Sequence, residues 1–349
     1  MLVPEIPLLG KAKEENHFQG LLNDMARNIL IRSGFVSFTP SSDTDVAQFI
    51  EHFSGLWERV GDGFTPNPQD IKRQMDEYES ILYDVWRLAL RNDFASGPTP
   101  LVAQAAVTRT ANPLIFRSHR LKRPVVIMAI EFWLFIAGTV FGLLHWAEGS
   151  GERETVGKNL FISSVKRWVT NDPNPSTIGR DLAEAATLDL DISNYAVGLA
   201  DAAFTWAFLH EMGHFALNHL PTAEVMRGMS ADGTATATSI VYGHEDELAA
   251  DAFGFDRYLG LMPLTMELRQ HIRFGPQIDH APIVAFELMD FAYRLESRYD
   301  LLNSSSHPAP LERAKVLMMS RGSDLSEEGC DWYGYWSERL AALQVELLG

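Results

Sequence analysis

The chain has 349 residues, 46% of them hydrophobic and 21% charged, enough to bury a large core as one big domain or two smaller ones. Its formal net charge of −17 repels phosphate backbones and argues against nucleic acid as a partner. The one cysteine, Cys330, excludes an intrachain disulfide and a thiolate metal site built from this chain alone.

The N-terminus is interrupted by Pro4, Glu5 and Pro7 and lacks a basic-then-apolar secretion signal, so the expected location is cytoplasmic. Residues 1–100 read as a helical N-terminal region. Leu21 to Ile31 has helical spacing, and Phe35 to Phe38 alternates like a short strand. Asp43 to Val60 places Phe49, Phe53, Leu56, Trp57 and Val60 on one helical face. Gln69 to Arg91 does the same with Ile71, Met75, Tyr78, Leu82, Val85, Trp86 and Leu90. Gly97-Pro-Thr-Pro100 closes this part.

Leu101 to Ala111 reads as helix and Asn112 to Ser118 as a strand. Val125 to Ala147 is then an apolar run broken only by Glu131 and His145 and preceded by Arg120-Leu-Lys-Arg123. It is long enough to span a bilayer, with its basic flank at the cytoplasmic end, which would make the protein inner-membrane associated. The other reading is a central helix buried in a core, since an acid inside a lone spanning helix is costly. Val156 to Val169 and Thr177 to Leu188 read as helices on either side of an Asp172-Pro-Asn-Pro turn. Asp191 or Ser193 caps a long helix over about 194–220, stopped by Pro221.

That long helix contains His210-Glu211-Met-Gly-His214. Positions i and i+4 share a helix face, so the two imidazoles can aim at one metal ion, with Glu211 placed to take a proton from a metal-bound water. A third protein ligand is needed. The pattern that would place it at residue 220, after a glycine at 217, is excluded by Leu217 and Leu220. Glu247-Leu-Ala-Ala-Asp251 supplies the alternative on a second helix over about 244–260. Glu247 ligates, and Asp251, on the same face, accepts the spare ring N–H of a ligand histidine. His244 and Glu245 remain competing ligands. His219, five residues past His214, points about 140° away around the helix and is read as structural. The small and β-branched stretch Gly233 to Tyr242 reads as a strand or lid over the cleft, or as a surface loop, and Tyr242 is an alternative proton donor.

The pairing of His-Glu-x-x-His with Glu-x-x-x-Asp resembles the gluzincin metallopeptidases. Within them it is similar to the HtpX and CAAX-prenyl-protease group, whose helix often carries the glycine and the further histidine found here as Gly213 and His219. Ser306-His307-Pro-Ala-Pro-Leu-Glu-Arg313 looks like that group's His-Pro…Arg element. The resemblance covers about 194–320, at these motifs only. It implies a mainly α protein whose residues 101–349 form a zincin-like core with a small β-sheet beside the active-site cleft. It further implies Zn2+ held by His210, His214 and Glu247, and a protein or peptide substrate cut with Glu211 as base. His307 and Arg313 would face the active site to steady the oxyanion or the substrate backbone. The chain departs from that group in having at most one candidate membrane helix. The soluble phage-exclusion Lit-type peptidases, also carrying a zinc-helix motif in a chain of about this size, are an equal analogy. The competing function is a catalytically silent, zinc-stabilised binding or regulatory module.

Overall fold

The computed structural model describes residues 36–37, 82, 85, 89, 102–107, 113–118, 123–170, 189–220, 224–229, 235–261, 278–302 and 307–348. Most of the N-terminal region, the Asp172 turn and the Thr177 to Leu188 helix lie outside them. The described part is mainly helical. In chain order it runs β1 (Val36–Ser37), β2 (Val102–Val107), β3 (Leu114–Ser118), β4 (Arg123–Ala129), α1 (Ile130–Glu148), α2 (Glu152–Thr170), α3 (Leu190–Ala216), β5 (Glu224–Met229), β6 (Ala235–Val241), α4 (His244–Leu261), α5 (Ala281–Leu295), α6 (Tyr299–Leu302), α7 (Pro310–Arg321) and α8 (Glu327–Leu348).

The strands form a sheet of order β1-β2-β4-β3 and a separate β5-β6 hairpin. Two segments differ from the sequence expectation. Val102–Val107 is not helical: it pairs in parallel with β4, Val102 opposite Val125, and this pairing overrides the helical preference of its alanines. The apolar run from Val125 is not one helix either. Its first part is β4, central in the sheet, and its remainder is α1. No helix among the described residues is long and apolar enough to cross a membrane.

α1 is apolar on every side because every side is covered: Phe132, Phe135, Ile136, Val140, Phe141, Leu143 and Leu144 are all buried. Its closest neighbour is α2, admitted by two glycines. A Cβ on Gly142 would lie 2.5 Å from the Phe161 nitrogen, and one on Gly157 would overlap the backbone at Trp146. Trp133 Nε1 donates to Asp201 Oδ1 at 2.7 Å and ties α1 to α3.

α3 is the longest helix among the described residues, 27 residues, and both of its ends are specified. Its N-cap is Asp189, not Asp191 or Ser193: Asp189 Oδ1 accepts from the amides of Asp191 at 3.0 Å and Ile192 at 3.1 Å. The same carboxylate accepts from Arg153 Nη2 at 3.0 Å, and Arg153 Nε donates to the buried His145 Nδ1 at 2.9 Å. One arginine thus joins the end of α1 and the start of α2 to the cap of α3. Burial and the Arg153 charge hold the His145 pKa below its ordinary value, which keeps the ring a neutral acceptor.

The helix ends four residues earlier than its apolar pattern. Asn218 takes φ +62°, and two amides fold back: His219 N donates to His214 O at 2.8 Å and Asn218 N to Phe215 O at 3.1 Å. This pair of bonds with a left-handed residue between them is a Schellman motif, with asparagine where glycine is commoner. At the other end, α8 docks through aromatics: Tyr195 stacks on Trp332 at 4.4 Å between ring centres, and Trp336 Nε1 donates to the Tyr195 hydroxyl at 2.9 Å.

Candidate metal centre

His210 and His214 lie one helical turn apart on the buried face of α3, and α4 crosses that face. Glycines make the approach possible. A Cβ on Gly213 would meet Ala250 at 3.1 Å, and one on Gly254 would meet the His210 nitrogen at 2.8 Å. The approach brings Glu247, on the first turn of α4, opposite both rings: Oε2 is 3.6 Å from His210 Nε2, and Oε1 is 3.6 Å from His214 Nε2. The two Nε2 atoms are 3.2 Å apart. All three side chains are buried, and their ligand atoms lie within 4.8 Å of one another.

The outer faces of the two rings fix what the inner faces offer. His210 Nδ1 is 2.8 Å from Asp251 Oδ1. His214 Nδ1 is 3.0 Å from His219 Nδ1. With the protons on the Nδ1 atoms, two Nε2 lone pairs and a carboxylate converge in a buried space, a donor set that repels itself unless a cation lies between. The group can therefore hold a metal ion. His244 and Glu245, the competing ligands, are exposed to solvent.

Asp251 is fully buried, and Arg313 neutralises it from the far side: Nε donates to Oδ2 at 2.7 Å and Nη2 to Oδ1 at 2.6 Å. Burial alone would raise the Asp251 pKa; the Arg313 charge and hydrogen bonds, with help from His210, outweigh it and hold the carboxyl below its usual range. Arg313 Nη2 also lies 3.2 Å from Glu247 Oε2, and its guanidinium sits 4.5 Å above the Phe286 ring. The arginine is buried. Its side chain reaches the two carboxylates of α4, Asp251 and Glu247.

His307, just before α7, reaches the same place from outside: Nε2 is 3.5 Å from Glu247 Oε1, and the side chain is 37% exposed. Burial, with the Arg313 and His210 charges, lowers its pKa despite Glu247. Glu211 points beside the rings, with Oε1 4.0 Å from His210 Nε2 and a hydrogen bond from the Ile115 amide of β3. Burial pushes its carboxyl up to about 7. Tyr242, which follows β6, stacks flat on His214 with ring centres 3.6 Å apart, and its hydroxyl donates to Ile115 O at 3.3 Å.

One residue lies elsewhere than the sequence reading put it, and another was not read from the sequence at all. His219 is not turned away from His214, because the Schellman turn ends the helix and carries it back. Asp246, on the first turn of α4, lies 3.5 Å from His219 Nε2. Asn218 just before His219 was the available signal. No protein-family model matches the chain, and no curated protein and no solved structure matches it either.

Proposed function

We propose that this chain is a zinc-dependent endopeptidase of the gluzincin type, built on a zincin-like core with the four-stranded sheet beside its cleft. The observation that carries the reading is the buried convergence of His210, His214 and Glu247 with Glu211 alongside. Two imidazoles and one carboxylate are a donor set that suits zinc and leaves a position open, as catalysis requires. A zinc ion bound there would supply Lewis acidity, activating water and polarising a carbonyl.

The chain's own groups do the rest. Glu211 takes the proton of the attacking water at a carboxylate oxygen and returns it to the leaving amine. His307, half-exposed at the mouth, offers a ring N–H to the carbonyl oxygen as negative charge develops. Arg313 acts through Asp251 and Glu247, holding both carboxylates in place. The edge strand β3, whose Ile115 already touches Glu211, presents main-chain groups along which an extended peptide can lie.

One observation favours a second reading. His307 Nε2 lies 3.5 Å from Glu247 Oε1, outside the three converging ligands; were it to swing in as a fourth, the metal would be structural and the chain a zinc-stabilised binding module. The test is metal content and peptide hydrolysis on chelator-free full-length protein. Wild type is expected to hold about one zinc per chain, and Glu247→Ala none. Glu211→Gln should keep the metal and lose about 10²–10⁴-fold in turnover. Unchanged hydrolysis by Glu211→Gln sinks the mechanism, and zinc without hydrolysis of any peptide favours the binding module.

A further inference from the structure

His214 Nδ1 faces His219 Nδ1 at 3.0 Å, and His219 Nε2 in turn faces Asp246 Oδ1 at 3.5 Å. Between two ring nitrogens only one proton can sit, so the pair has two arrangements. In one, His214 donates and its Nε2 carries the lone pair. In the other, His219 donates and His214 presents Nε2–H to His210 and Glu247. Asp246 favours one of them: a carboxylate accepts only, so beside it a proton on His219 Nε2 is preferred, which leaves Nδ1 as the acceptor towards His214.

We infer that Asp246 and His219 are positioning residues that set the ring of His214 in the tautomer able to ligate a metal. The inference rests on the metal-site reading above. It gives His214 what Asp251 gives His210, but through a second ring, since Asp246 contacts His219 and His219 contacts His214. Three features of the fold cooperate in this: the left-handed Asn218, the bond from His219 N to His214 O, and the start of α4 at His244.

The experiment is zinc affinity, measured by chelator competition on the full chain. Asp246→Asn and His219→Leu are expected to weaken zinc binding about 10–100-fold with stoichiometry unchanged at saturation. His219→Gln, which keeps an acceptor, should recover part of the loss. Glu245→Gln removes the same charge one residue away, on an exposed side chain without this contact, and should bind like wild type. Equal affinity in wild type, Asp246→Asn and His219→Leu overturns the inference and leaves the metal site standing. An equal loss in Glu245→Gln and Asp246→Asn also overturns it, since charge alone would then account for the effect. Absence of zinc binding by wild type overturns both.

Discussion

Asp251 is a charge shielded from solvent, and Arg313 donates to both of its oxygens. Removing one partner of a buried pair strands the other, which costs about 3–5 kcal/mol. Arg313→Met should therefore lower unfolding stability by that order in urea titrations. A loss near zero would mean that Asp251 is held by something else. Glu211 works in the opposite sense. Its folded pKa of about 7 lies above the ordinary 4.5, so the metal-free fold favours its protonated form. That contribution is fully present below about pH 4.5 and lost as pH rises through 7, a difference on the order of 3 kcal/mol. Metal-free Glu211→Gln should accordingly outlast metal-free wild type in denaturant at alkaline pH, and the gap should shrink on acidification. A gap independent of pH would contradict the raised pKa.

At the scale of elements, the site depends on how closely α4 can approach α3. Gly254→Ala places a methyl 2.8 Å from the His210 nitrogen, against backbone that cannot yield, so both thermal stability and zinc affinity should fall. Gly260→Ala, on the same helix with open space around it, should instead gain about 0.5–1 kcal/mol. Opposite signs in the two variants would locate the effect in the helix crossing and not in helix propensity. What could be read from sequence at this scale was whatever is local. The i, i+4 spacing of His210 with His214, and of Glu247 with Asp251, survives folding unchanged. What could not be read depends on partners far along the chain. Val102–Val107 is a strand because β4 lies beside it. The apolar run from Val125 breaks after Ala129 without a capping side chain, so nothing marks the boundary. Asp189 outcompetes Asp191 as cap because Arg153 also holds it. His219 and Arg313 take their directions from a helix end and from a buried carboxylate.

For the whole molecule, a metal bound at the candidate site would also be a fastening. The site's residues come from α3, α4 and the segment that opens α7. Zinc that binds only the folded state should stabilise it by about 2.7 kcal/mol at a hundredfold excess over its dissociation constant. Chelation should then lower the unfolding temperature of wild type and leave that of Glu247→Ala unmoved; equal sensitivity would place the bound metal elsewhere. The position of Arg313 has a further consequence, in time. A ribosome delivers the two histidines, then Glu247 and Asp251, and only about sixty residues later the arginine that makes their buried charges tolerable. A nascent chain stalled before Pro310 therefore has every ligand and no stable way to bury them.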